Sequence, residues 1–136
     1  EGAADNLGWR DQSAFAEGSG FSGGANQTEE WLISPEVDLT GDTGLSFQIT
    51  QEIDFLGDDT LFDVLVSTNY TTGTDPMSAT WSAVSFDKTI FGNMTTSEDL
   101  DFTAFDGETV HVALKYSSTD SDSPRWRVQA TIALER

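Results

Sequence analysis

Residues 109–117 read TVHVALKYS, and apolar and polar side chains alternate along most of this stretch. Apolar side chains at every second position place one face of a β-strand against a core and turn the other face outward. The same period of two recurs in residues 45–53 and 125–134. Such alternation is typical of antiparallel sheets with one buried face. It argues against βαβ units, whose buried strands are apolar throughout.

Shorter strand-like runs fill the rest of the chain, and Gly, Asp, Asn and Pro separate them. They cover residues 31–33, 37–39, 61–68 and 80–86. No window has the spacing of an amphipathic helix. The sequence therefore predicts an all-β fold, a two-sheet antiparallel β-sandwich of jelly-roll type.

The length of 136 residues fits a single domain. Residues 1–28 are rich in Gly, Ser, Ala and Asn, so we expect an irregular N-terminal segment with one short strand near residues 13–16. Residues 29–136 are expected to form the sandwich core. The chain begins at Glu1 without a methionine, and we expect it to be a piece of a larger multidomain protein.

Composition narrows the classes of function. The chain has 24 acidic residues, six Lys and Arg, a net charge of −18 and no cysteine. Without cysteine there is no disulfide, thiol nucleophile or Cys-ligated zinc. The negative charge argues against nucleic acid and anionic membrane surfaces as partners, and no apolar run has the length of a membrane span. Sparse lysine and abundant Asp, Thr, Ser and Gly favour a secreted or cell-surface setting.

Five stretches, in order along the chain, resemble the choice-of-anchor J domains of bacterial secreted proteins, relatives of cleaved-adhesin and MAM-like jelly rolls. They are WLISPEVDL at 31–39, LSF at 45–47, DVLVSTNY at 63–70, ATWS at 79–82 and DFTAFDGETVHVA at 101–113. The resemblance implies a non-catalytic module of a larger secreted protein. Such modules are often attached to the cell surface or to a polysaccharide-degrading system, with neighbouring domains of the same chain as partners.

The few basic residues suggest where a ligand would bind. On three predicted strands they share the polar face with amides and a carboxylate. If these strands lie in one sheet, that face carries Gln48, Glu52, His111, Lys115, Arg125, Arg127 and Gln129. Long, planar donors beside amides suit the hydroxyl groups of a polysaccharide. The alternative is that the bases pair with cross-strand acids such as Glu52 or Asp63.

Aromatic rings would complete a carbohydrate site, because the C–H faces of sugars stack on exposed rings. Trp9, Tyr70, Trp81 and Phe91 lie in or near predicted loops, so we take them as candidates. Trp31 and Trp126 lie within predicted strands and are expected to be structural.

A second kind of site is a structural calcium ion. Calcium prefers carboxylates clustered on loops, and Asp54, Asp58 and Asp59 are expected to share one loop. The alternative is that these residues are solubilising turn residues of an acidic chain.

Catalysis is not expected. His111 is the only histidine, and no nucleophile-elbow motif is present. The position of His111 in its strand, on the face opposite Val110 and Val112, predicts an exposed residue. The leading hypothesis is a monomeric, non-catalytic carbohydrate-binding module. The alternative is a structural spacer or adhesion domain that binds protein, and a hydrolase with two carboxylates is a third possibility.

Overall fold

A computed structural model describes residues 8–11, 16–19, 24, 27–44, 46–57, 59–88, 93–96, 100–122, 124–128 and 133–135. The strands in this part of the chain are β1 Gly8–Asp11, β2 Ala16–Ser19, β3 Thr28–Ile33, β4 Val37–Asp38, β5 Ser46–Gln48, β6 Thr50–Asp54, β7 Phe62–Ser67, β8 Ser82–Val84, β9 Thr95–Thr96, β10 Leu100–Asp101, β11 Thr109–Ser118, β12 Arg125–Val128 and β13 Ala133–Glu135. The helical segments in the described ranges are short 3-10 turns, at Asp59–Leu61, Pro76–Ser78 and Thr103–Phe105.

The first sheet has the spatial order β1-β2-β12-β6-β9, with antiparallel pairing throughout. A separate three-stranded ladder has the order β10-β5-β13, and only Ile49 separates β5 from β6 along the chain. Arg125 lies opposite Asp54, and Ala133 lies opposite Gln48.

The second sheet has the order β3-β11-β7-β8, and β4 pairs with the first two residues of β11. β11 is its long central strand and pairs along most of its length with β7 and β3. The two antiparallel sheets pack face to face, so the predicted all-β sandwich is confirmed.

The core lies between the inward faces that the alternation predicts. In β11 these are Val110, Val112, Leu114 and Tyr116, all buried. Trp126 of β12 lies at the centre and is fully buried. Its ring stacks on Phe62 of the opposite sheet with centroids 4.6 Å apart and planes 9° apart. Aromatic stacking therefore joins the two sheets directly.

The expectation of an irregular N-terminal segment is wrong for part of residues 1–28. β1 and β2 form an antiparallel pair, and β2 also pairs with β12, where Gly18 lies opposite Trp126. Glycine has no side chain that could reveal an alternating pattern, so these strands are invisible to hydrophobic periodicity. The short strand expected near residues 13–16 falls mostly outside the described residues.

Among the described residues, no helix has the length and apolar character needed to cross a membrane.

Strands appear close to where alternation predicts them. Residues 45–53 were predicted as one strand, and the structure interrupts that strand at Ile49.

Gln51 supplies a direct test of the core. Its Oε1 accepts a 2.7 Å hydrogen bond from the Trp126 indole N–H, and its Nε2 donates to the Asp87 carbonyl oxygen at 3.2 Å. We expect Gln51→Ala to lower the free energy of unfolding by about 2–4 kcal/mol, because it leaves a buried indole donor unpaired and opens a cavity. Gln27→Ala, at an exposed residue, is the control and should change stability by less than about 0.5 kcal/mol. Urea denaturation measures both, and equal effects would contradict this role for Gln51.

Candidate functional site

The outward face of the second sheet carries a group of rings that we call the aromatic cluster: Trp31, Tyr70, Trp81 and His111. Trp31 lies on β3 directly opposite Lys115 of β11, so both side chains share this face. Tyr70 and Trp81 come from the two ends of the segment that links β7 to β8. Three separate parts of the chain thus meet on one surface.

The rings of the cluster touch in series. The centroids of Trp31 and Trp81 lie 5.2 Å apart, and those of Trp81 and Tyr70 lie 5.4 Å apart. Tyr70 meets the His111 ring edge-on at 4.9 Å. Trp31, Tyr70 and Trp81 are all half-buried, so each retains exposed surface. The result is a continuous, partly exposed aromatic surface.

The expectation that His111 is an exposed sheet residue is wrong. It lies on the outward face of β11, but only 3% of its surface is exposed. The Tyr70 ring covers it, and its Nε2 shares a 2.9 Å hydrogen bond with Thr72 Oγ1. Alternation along a strand predicts the face on which a residue lies. It does not predict that a loop folds over that face.

Hydrogen bonds hold the linking segment that carries Tyr70 and Trp81. Asn69 Oδ1 accepts from the Thr80 backbone N–H at 2.9 Å and so ties the two ends of the segment together. The Tyr70 hydroxyl donates to the Thr74 carbonyl at 3.0 Å, and the Trp81 indole N–H donates to the Pro76 carbonyl at 2.8 Å. Both rings are therefore held in place by backbone carbonyls of their own segment.

Lys115 provides the charged edge of the cluster. Its Nζ lies 5.5 Å from the centroid of the Trp31 ring and 3.1 Å from Glu29 Oε2. Asp63 lies opposite it on β7. Hydrogen-bond donors and acceptors thus stand beside the rings.

Three of the other predicted site residues lie on the first sheet, so the expectation that they share one polar face with His111 and Lys115 is wrong. Arg125 and Arg127 are on β12 and Glu52 is on β6, whereas His111 and Lys115 are on the second sheet. Gln48 is on β5, and its side chain lies outside the described residues, as does the whole of Gln129. The sequence shows which face of a strand is polar, but strand order decides which faces meet.

Glu52, Asp54, Arg125 and Arg127 form what we call the arginine ladder on the outward face of the first sheet. Arg125 donates to Asp54 Oδ2 through Nη2 at 2.7 Å and Nε at 3.2 Å. Arg125 Nη2 and Arg127 Nη1 lie 3.5 and 3.7 Å from Glu52 Oε2. The alternative interpretation, in which these bases pair with cross-strand acids, is confirmed for Glu52.

The carboxyl of Glu52 has a raised pKa. The main cause is its hydrogen bond with the Asp54 side chain, followed by desolvation and by the negative charge of Asp54. The two arginines act in the opposite direction. The pair can share a proton because two carboxylates this close resist ionising together.

The structure corrects part of the expectation that Asp54, Asp58 and Asp59 share one calcium-binding loop. Asp54 is the last residue of β6 rather than a loop residue, and its carboxylate binds Arg125. Asp58 and the side chain of Asp59 lie outside the described residues. In the part of the chain that the structure describes, no group of three or more His, Cys, Asp or Glu side chains is placed to hold a metal ion.

Among the aromatic candidates, Tyr70 and Trp81 are brought together. Trp9 lies on β1 opposite Gly18 rather than in an irregular segment, and its side chain and Phe91 fall outside the described residues. Sequence reasoning assigned Trp31 to a structural role and missed its place in the aromatic cluster. Parity gave no signal for it, because Trp31 shares a face of β3 with the apolar Ile33, and only the pairing with Lys115 places that face outward.

The arrangement can bind a ligand with both apolar faces and hydroxyl groups. No protein-family model matches the chain, and no curated protein and no solved structure matches it.

Glu52 gives a pH-dependent prediction. Because its pKa is raised in the folded protein, its favourable contribution to stability is full below its ordinary pKa of 4.5 and is lost as pH rises through the raised value. Glu52→Gln permanently supplies the donor that the protonated carboxyl offers to Asp54. We expect this variant to be more stable than the parent at pH 7, with the advantage shrinking toward pH 4.

Glu36→Gln, at an exposed position, is the charge-matched control, because removing any acid relieves repulsion in a protein of net charge −18. Chemical denaturation at several pH values gives the stability difference for each variant. The role of Glu52 would be contradicted if the two variants showed the same pH dependence.

Proposed function

We propose that the chain is a non-catalytic carbohydrate-binding module that holds a polysaccharide on the aromatic cluster. One observation carries the proposal: Trp31 and Trp81 lie side by side, half-exposed, on the outward face of a sheet. Sugar rings have apolar C–H faces that stack on such surfaces, and their hydroxyl groups need polar partners at the edge. Lys115, Glu29 and Asp63 offer those partners.

Binding at this site requires no bond to be made or broken. The rings remove apolar sugar faces from water, the Lys115 ammonium donates to hydroxyl oxygens, and the carboxylates accept from hydroxyl hydrogens. Each aromatic contact contributes about 0.5–1.5 kcal/mol, so a single module binds weakly. Several modules in one longer chain would raise the avidity.

The choice-of-anchor J resemblance supports the same proposal. The WLISPEVDL stretch supplies the second half of β3, including Trp31, and the whole of β4, and both strands pair with β11. As a member of that group, the chain would be a jelly-roll module of a larger bacterial protein, secreted or held at the cell surface, with neighbouring domains as its partners.

A different observation favours the alternative of an adhesion domain that binds protein. Phe55 is 75% exposed and has a left-handed φ of 62°, which is uncommon for a bulky residue. Its ring lies 5.7 Å from the Arg125 guanidinium, at the end of the arginine ladder. An exposed aromatic beside an arginine is a common centre of protein interfaces.

Trp81→Ala tests the proposed function. We expect about a two- to tenfold loss of affinity for the polysaccharides that the parent protein binds, because a stacking ring is removed. Phe55→Ala is the matched control, since it removes an exposed ring elsewhere and should leave glycan binding unchanged. Affinity electrophoresis against soluble polysaccharides followed by calorimetry measures the effect, and circular dichroism establishes that both variants are folded.

Two outcomes would contradict the proposal. The parent protein could fail to bind any neutral or acidic polysaccharide, or Trp81→Ala could bind as tightly as the parent. Loss of binding to a protein partner on Phe55→Ala would instead support the adhesion alternative.

A further inference from the structure

A groove of about 470 Å³ lies along β8 and the segment that follows it. Its wall combines an aromatic ring, two acids and a lysine. The lining residues are Asp63, Ala83, Val84, Ser85, Phe86, Asp87 and Lys88. None of them belongs to the aromatic cluster.

The groove lies on the same face of the sheet as the aromatic cluster. Asp63 is opposite Lys115, and Ala83 is opposite Leu65, which shares the face of Asp63 on β7. Trp81 precedes Ala83 by two residues, which corresponds to about 7 Å along an extended chain. The groove therefore begins two residues along the chain from Trp81, a member of the aromatic cluster.

The core holds the wall of the groove in place. The Phe86 ring stacks on Trp126 with centroids 5.7 Å apart and planes 8° apart. The Asp87 carbonyl accepts the hydrogen bond from Gln51 Nε2, and Lys88 Nζ lies 5.3 Å from the centroid of the Phe86 ring. A wall anchored in this way needs little ordering when a ligand binds.

We propose that this groove is a second subsite for the glycan held by the aromatic cluster, and that the ligand is an uncharged linear polysaccharide running along β8. This inference rests on the proposed function and specifies its substrate class. Hydroxyl groups can both donate to carboxylates and accept from an ammonium, which matches the mixed lining. Acids outnumber bases in the groove, and the whole chain carries −18, so uronate or sulfate chains are repelled.

The test uses neutral oligosaccharides of increasing length, from disaccharide to hexasaccharide, in the cello-, laminari- and manno-series. The parent protein should bind the hexasaccharide of at least one series about tenfold more tightly than the disaccharide. Ser85→Trp fills the groove and should abolish that gain without weakening disaccharide binding. Ser121→Trp adds the same ring at an exposed turn elsewhere and should preserve the gain. Oligogalacturonates of the same lengths should show no gain with length.

Calorimetry separates the two proposals. The second subsite is overturned if Ser85→Trp keeps the full gain with length, or if the parent shows none while its disaccharide binding still depends on Trp81. A gain with length for oligogalacturonates would overturn the uncharged substrate class. If the parent binds no oligosaccharide of any series, the proposed function fails and the second subsite fails with it.

Discussion

The stack of Phe62, Trp126 and Phe86 is the contact on which the rest of the structure depends. Trp126 comes from the first sheet and Phe62 from the second, and their nearly parallel rings lie 4.6 Å apart in the dry interior. An indole at this depth brings one N–H that must find an acceptor, since an unpaired buried donor is costly. Gln51 meets that requirement. Its second polar atom then reaches the Asp87 backbone, so one buried amide links the core to the groove wall.

The central strand β11 contributes side chains both to the core and to the outward face of the second sheet. Its inward side chains fill the space between the sheets, while His111, Ala113 and Lys115 face outward beside Trp31 and Asp63. The outward face is not simply solvated. Tyr70 and Thr72, in the segment between β7 and β8, contact His111, which is 3% exposed, and the neighbouring Ala113 is fully buried. The aromatic cluster exists because a rigid strand and a tied loop meet at this place.

Charge explains the positions of several basic residues. In a protein with 24 acids and six lysines and arginines, a base on a sheet face will usually have an acid within reach. Arg125 and Arg127 are engaged by Glu52 and Asp54, and Lys115 is engaged by Glu29. Their polar faces therefore reflect local charge neutralisation. The basic surface inferred from strand parity separates into two ion-paired groups because β11 and β12 lie in different sheets.

The sequence by itself determined the fold class and the inward faces, because a period of two in hydrophobicity dictates which side chains leave water. It also drew attention to Tyr70, Trp81, His111 and Lys115. It did not reveal β1 and β2, whose Gly18 gives no hydrophobic signal. It also did not reveal that β11 and β12 lie in different sheets. Only the tertiary structure decided those points, and it alone placed Trp31 beside Trp81, because contacts between residues 50 apart depend on strand order and loop path rather than on local pattern.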